Sequence, residues 1–282
     1  MKISEKANQL IDTFGAAMAA RTNPQPKAPL YAGVDLGTAY IVTAVVDENG
    51  LPVAGALTNS RSSIRDGLVL DYIGAVTILR AQLRMLNEAG FSIQTGAAAY
   101  PPGTTGRNAQ TFGNVLEAIG LSVAGLIDEP SAAALVLDIT DGAVVDIGGG
   151  TTGISVLENG QVIYTADEAT GGIHLDLVLA GHYRIDVQEA ERIKTDPARR
   201  EDVFPLVRPV FQKMASIVNN HLRGFNVDTL YLVGGTSCFP GIETVMEAET
   251  GLAVARPGNP LLVTPLGIAL SCLKMVENEG SG

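Results

Sequence analysis

The chain is poor in the residues that build metal and redox centres. Its 282 residues include two cysteines and three histidines. Cys238 and Cys272 lie far apart and form no metal-ligand spacing, so they read as reduced thiols of a cytosolic protein. His174, His182 and His221 are scattered, which leaves no zinc set. Positive charge is scarce as well. Nineteen Lys and Arg against 30 Asp and Glu give a formal charge of −11. That balance argues against nucleic acid or an anionic membrane as a general partner. It does not exclude a nucleotide, which a metal and local backbone dipoles can neutralise. No run of the sequence reads as long enough to span a membrane. The first residues carry Glu5 and Asp12 and no long apolar core, so they are no secretory signal. The P-loop pattern Gly-x-x-x-x-Gly-Lys-Ser/Thr does not occur. The chain is 46% hydrophobic and 17% charged, which is enough apolar material for two cores.

Against these absences stands one acidic, glycine-rich turn. Asp146-Ile147-Gly148-Gly149-Gly150-Thr151-Thr152-Gly153 joins the apolar segments Ala143–Val145 and Ile154–Leu157. Three glycines let backbone N–H groups converge without side chains in the way, and such a concavity suits phosphate oxygens. The adjacent carboxylate would repel a bare phosphate, but suits one accompanied by a hydrated Mg²⁺. Asp35-Leu36-Gly37-Thr38-Ala39-Tyr40 repeats the design before the strand Ile41–Val46. Both copies run on to Glu-Asn-Gly, at 48–50 and 158–160, and Asn-Gly is a strong hairpin signal. One copy alone is compatible with a bland glycine turn. Two suggest paired lobes that clamp one nucleotide.

The remaining pattern is α/β. Residues 3–20 predict an amphipathic helix through Ile3, Ala7, Leu10, Ile11, Phe14 and Met18, followed by the proline-rich linker Thr22–Pro29. Such a helix either docks elsewhere or packs on its own domain, and self-packing is the commoner fate. Helices are expected at 71–89, 105–119, 130–137, near 174–183, and at 206–223, 240–250 and 265–277. Strands are expected at 91–100, 122–127 and 229–233, with a hairpin over 143–165 and a polar segment at 186–202.

Three further motifs invite a chemical reading beside a plain one. Asp128-Glu129-Pro130-Ser131 follows an apolar strand. Glu129 would sit at the positive end of a helix dipole, held ionised, and could orient a water in a cleft. Taken alone it reads better as a capping acid. Leu232-Val233-Gly234-Gly235-Thr236 could let a flat ring lie on the backbone, or be an ordinary strand-to-helix turn. Glu191 could accept from ribose hydroxyls and Lys194 could cover a purine, but as a lone charge cluster they read as a solvated helix face.

Taken in order, these motifs together with Pro265-Leu266-Gly267-Ile268-Ala269 resemble the actin-like ATPases, over about residues 31–277. The likeness is to the nucleotide-binding domain of DnaK-type chaperones and to the bacterial actin MreB, and within that group to the actin-like proteins of ethanolamine-utilisation operons. The resemblance implies a duplicated ribonuclease-H-like fold with short cap subdomains. Residues 1–28 would be a helix and linker, 29–140 with 262–282 the first lobe, and 141–261 the second. It implies ATP or ADP with Mg²⁺ as ligands. Asp35 and Asp146 would hold the metal through waters, with Glu129 placing the attacking water. Gly37, Thr38, Gly148, Gly149, Gly150 and Thr151 would grip phosphates. Gly234, Gly235 and Thr236, with Glu191 and Lys194, would hold adenosine, and Gly171, Gly172 and Asp176 would lie near the sugar. Catalysis would be positioning plus charge neutralisation.

Departures from the family pattern temper the activity. Ala39 stands where the chaperones carry a second threonine. No lysine occurs in 50–72, so Arg61 and Arg65 are its only cations. Cys238 replaces an arginine over the adenine, and the stretches 50–71 and 181–205 leave little room for caps. A chaperone or assembly-factor ATPase is therefore expected, at best a weak one, whose partner is a client protein or an ethanolamine-utilisation enzyme or shell protein. Its place would be the cytoplasm, at a bacterial microcompartment, with residues 1–20 as a candidate tether. A nucleotide-binding scaffold or filament former is the alternative. A small-molecule kinase would need further groups facing a second substrate, for which Asp66 and Asp71 are candidates, but no recognisable sugar motif surrounds them.

Overall fold

The computed structural model describes residues 3–20, 28–60, 64–65, 68–69, 71–104 and 106–280. The linker over 21–27, Arg61, Asp66 and the side chain of Arg65 lie outside the described residues. A helix, α1 (Glu5–Ala20), precedes three antiparallel strands, β1 (Tyr31–Leu36), β2 (Tyr40–Val46) and β3 (Pro52–Asn59). Then come the two-residue strands β4 (Ile64–Arg65) and β5 (Leu68–Val69), α2 (Tyr72–Glu88), β6 (Thr95–Tyr100), α3 (Arg107–Ala118), β7 (Ser122–Asp128) and α4 (Glu129–Leu137). The second half opens in the same way, with β8 (Gly142–Ile147), β9 (Thr152–Glu158) and β10 (Gln161–Glu168). It continues through α5 (Gly172–Tyr183), α6 (Val187–Thr195), α7 (Arg200–His221), β11 (Thr229–Val233), α8 (Ile242–Thr250), β12 (Ala253–Ala255) and α9 (Val263–Gly280).

The two large sheets share one plan. Their orders are β3-β2-β1-β6-β7 and β10-β9-β8-β11-β12. In each, an antiparallel meander is extended by two parallel strands. The duplication expected from the paired Asp-apolar-Gly turns is thus a duplication of whole sheets, the two-lobe actin-like architecture. The Asn-Gly pair of the second copy has φ of 52° at Asn159 and 76° at Gly160, the double left-handed turn that a two-residue hairpin requires. In the first copy only Gly50 is left-handed, at 72°. There the Asp47 carboxylate closes a longer loop by accepting from the N–H groups of Asn49 and Leu51, at 2.9 and 3.0 Å.

Between the sheets, α4 crosses α9. The crossing is close because the contact residues are small. A methyl group at Gly267 would overlap the Ala132 carbonyl, and one at Gly33 would overlap the backbone at Ala269. One apolar cluster runs through this crossing, from Val42 and Val46 of the first sheet through Ala132, Leu266 and Ala269 to Val144 and Val233 of the second. The segment Pro260–Glu279 has a mean hydropathy of 1.4 and the length to cross a membrane, contrary to expectation, yet 67% of its apolar window is buried inside the protein. It is the shared core helix.

Helix α1 packs on its own chain. Ala7, Ile11 and Phe14 are buried, and a Cβ at Gly55 of β3 would come within 2.6 Å of the Phe14 ring. Its apolar stripe is therefore not available as a tether. Other expectations shift. The stretch after Gly50 supplies the strand β3 before the small β4–β5 ladder. Residues 91–94 precede the strand instead of belonging to it, though Phe91 and Ile93 are buried. The polar segment from 186 forms α6, capped by Asp186 accepting from the Glu189 N–H at 2.8 Å. Helix α7 begins at Arg200 and runs through Pro205 and Pro209, and β12 was not expected at all. Cys238 and Cys272 are both free thiols, as expected.

Candidate functional site

The two acidic turns, β1–β2 and β8–β9, face one cavity of about 1120 Å³. Asp35, Gly37, Thr38, Glu129, Asp146, Gly148, Gly149, Gly150, Thr151, Gly172, Glu191, Lys194, Gly234, Gly235 and Thr236 all line it. Of the expected site residues only Gly171 stands behind the wall. A Cβ there would meet the Gly149 carbonyl oxygen at 2.8 Å, so it serves as a close-packed support. The turns also touch each other. A Cβ on Gly149 would lie 2.8 Å from that of Ala39, and one on Gly150 would lie 3.2 Å from the Thr38 side chain.

Each turn has its carbonyls tied back. Ser60 donates its hydroxyl to the carbonyls of Gly37 and Thr38, both at 2.9 Å, and its N–H to Ala39. In the second turn, Gly148 accepts from the Gly172 N–H at 3.0 Å and from the Thr236 hydroxyl at 2.7 Å, while Gly149 accepts from the Ile173 N–H at 2.8 Å. The N–H groups of Gly37, Thr38, Gly149, Gly150 and Thr151 have no acceptor among the described residues. A pair of peptide loops held by their oxygens leaves its donors for an anion.

Three carboxylates stand beside these donors, partly shielded from water. Burial pushes Asp35 up to about 7, helped by the charge of Asp146. Burial pushes Asp146 up to about 6, against the opposing hydrogen bond from Thr264, whose hydroxyl donates to Asp146 Oδ2 at 3.0 Å. Glu129 is raised well above the usual range by burial and then by Asp146, Asp35, Asp167 and Asp128. The expectation that the helix dipole holds Glu129 ionised is thus overturned, because burial and four acids outweigh it. Nor is Glu129 the cap of α4. Asp128 takes that role by accepting from the Ser131 N–H at 2.9 Å, which leaves Glu129 to the cavity. Acids crowded in this way suit a nearby cation. Among the described residues no three acidic, His or Cys groups are grouped to ligate an ion directly.

Beside the start of α5, Lys194 places its ammonium 2.8 Å from Asp176 Oδ1 and 2.9 Å from Oδ2. Gly234, at φ 87°, packs so tightly on Asp146 that a side chain there would overlap the carboxylate. Ser60, Thr264 and Arg200 also belong to the site or its support, and no motif announced them. Asp71, a candidate second-substrate residue, is the cap of α2 and accepts from the Gly74 N–H at 2.7 Å.

Known proteins match this arrangement. A family model for the type IV pilus assembly protein PilM matches residues 138–260. The ethanolamine utilization protein EutJ of Escherichia coli K12 is 43% identical over 264 residues, covering 93% of both chains. The crystal structure of EutJ from Carboxydothermus hydrogenoformans superposes with a TM-score of 0.88 at 46% identity, over 94% of this chain and 98% of that one. The chain belongs to the EutJ family. A similar fold occurs in a further solved structure. MreB 5 of Spiroplasma citri, solved bound to AMPPNP, gives a TM-score of 0.75 at 17% identity over 91% of this chain and all of that one, a likeness of fold alone. The motifs that mark this EutJ-family chain as actin-like are the ones that converge on the cavity.

Proposed function

We propose that the protein binds ATP or ADP with Mg²⁺ in this cavity and acts as a nucleotide-dependent chaperone or assembly factor for ethanolamine utilisation. The observation that carries this reading is the convergence of two like turns on one cavity, each offering amide donors and an acid that have no acceptor and no partner cation among the described residues. Asp35 and Asp146 hold the hydrated metal. Gly37, Thr38, Gly149, Gly150 and Thr151 grip the phosphates, Gly148 supports the turn by donating its N–H to the Thr151 carbonyl at 2.9 Å, and Glu129 places the water. Gly234, Gly235, Thr236 and Glu191 receive the adenosine. Residues 29–140 with 262–282 form one lobe and 141–261 the other, and nucleotide sets their spacing. The partner is an enzyme or shell protein of a cytoplasmic microcompartment, engaged through a surface that changes with that spacing. The bound AMPPNP of the MreB relative supports nucleotide binding in a fold of this kind.

A second reading has its own support. No lysine occurs in 50–72 to contact the phosphates, and Cys238 stands where the chaperones place an arginine, so nucleotide here holds a scaffold together with little turnover. Phosphate release decides between the two. A chaperone ATPase turns over faster with its client, and a scaffold binds ATP without releasing phosphate.

The binding itself is tested by calorimetric titration of ATP with and without Mg²⁺. Asp146→Ala is expected to weaken binding at least tenfold, about 1.4 kcal/mol, only when the metal is present. Absence of ATP binding by the unmodified protein, or an equal loss without metal, overturns the reading.

A further inference from the structure

Lys194 is placed to do something other than cover a purine. Its ammonium bridges both oxygens of Asp176, at 2.8 and 2.9 Å, and approaches the Gly172 carbonyl at 3.4 Å. The pair is secluded, with side-chain exposures of 17% for Lys194 and 7% for Asp176. Both of its contacts are in the first two turns of α5. The N–H groups that open this helix are the ones that hold the phosphate-facing turn, Gly172 to the Gly148 carbonyl and Ile173 to the Gly149 carbonyl. From the opposite side Thr236 donates to the same Gly148 carbonyl. The packing admits nothing more at this junction, since a Cβ on Gly172 would lie 2.6 Å from Thr236 Oγ1 and 3.5 Å from Lys194 Nζ. A chain of short contacts therefore runs from Lys194 on α6, through Asp176 and the start of α5, to the carbonyls of the glycine turn.

We propose that Lys194 is a positioning residue that, through Asp176 and the first turn of α5, aims the amides of Gly149, Gly150 and Thr151 at the nucleotide phosphates. This rests on the nucleotide-binding reading above. To lie on a purine, the ammonium would have to leave Asp176, stranding a secluded carboxylate without its partner, which is strongly unfavourable. Burial already pushes the Asp176 carboxyl up, and Lys194 is the cation that opposes it. Glu191, one turn earlier on the same helix, still lines the cavity.

The test separates base from phosphate. Adenosine and Mg·ATP are titrated against the unmodified protein, Lys194→Met, Lys194→Arg, Asp176→Asn and the Lys194→Met/Asp176→Asn double variant. The expected result is a loss of tenfold or more for ATP in Lys194→Met and Asp176→Asn, with adenosine unchanged within twofold and partial recovery in Lys194→Arg. The double variant should be no worse than the poorer single one, as residues acting as a unit require. Equal losses for adenosine and ATP, or additive losses, overturn the proposal. Amide exchange of ligand-free protein supplies a separate reading. Lys194→Met should accelerate exchange at Gly172 and Ile173 at least tenfold and leave β11 unchanged, and unaltered exchange at those two amides overturns the proposal. If the unmodified protein bound no ATP, the nucleotide reading would fall by that result, whatever the exchange at α5 showed.

Discussion

At the scale of single residues, the acids of the cavity carry a pH signature. Asp35 is raised to about 7 and Asp146 to about 6, above the ordinary aspartate value of about 4. A carboxyl that holds its proton more tightly folded than unfolded stabilises the fold at pH below its unfolded value, and that stabilisation is lost as pH rises through its folded value. The metal- and nucleotide-free protein should therefore lose stability between about pH 4 and pH 7. Asp35→Asn should stabilise the fold at pH 8, by on the order of 1–3 kcal/mol, and give no gain at pH 4. Chemical denaturation at the two pH values measures this. A stability that is flat with pH, or a gain equal at both values, would contradict the crowding of these acids. The residues at this scale were readable in the sequence only where they recur. Asp35 and Asp146 were found because the same acid-apolar-glycine pattern appears twice. Ser60, Thr264 and Arg200 are lone polar residues, and their roles exist only once distant segments meet.

Among the elements, the Asn-Gly turns and the apolar strands announced both hairpins. Helix α1 was visible by its periodicity, and its docking partner by nothing in the sequence. Phe14 is fully buried, against a glycine of β3, so Phe14→Ala should cost about 3–5 kcal/mol. Urea titration would measure it, and a loss below about 1 kcal/mol would mean that the helix leaves the body in solution. The first Asn-Gly turn pointed to a returning strand, but the extent of β3 was not legible, because Pro52, Ala54, Gly55 and Ala56 have low strand propensity and pairing with β2 overrides it. Helix α7 hides its start for a related reason. Proline inside a helix costs about 3 kcal/mol or more, yet Val203 and Val207 are fully buried on the face that contains this stretch, and packing keeps the helix continuous.

Across the whole molecule, two copies of one sheet are joined by a single apolar core and by α4, whose first residue is Glu129. The helix that fastens the halves together thus also delivers the third acid to the cavity between them. Its crossing with α9 depends on glycine, so the relation between the halves is written in residues without side chains. The five amides at 37, 38, 149, 150 and 151, without acceptors among the described residues, have one more consequence, because they make the protein its own gauge of occupancy. In bare solution their deuterium uptake should be fast. A guest whose oxygens take those protons slows uptake in both loops together, and protection confined to one loop would reveal a ligand seated on half of the molecule only.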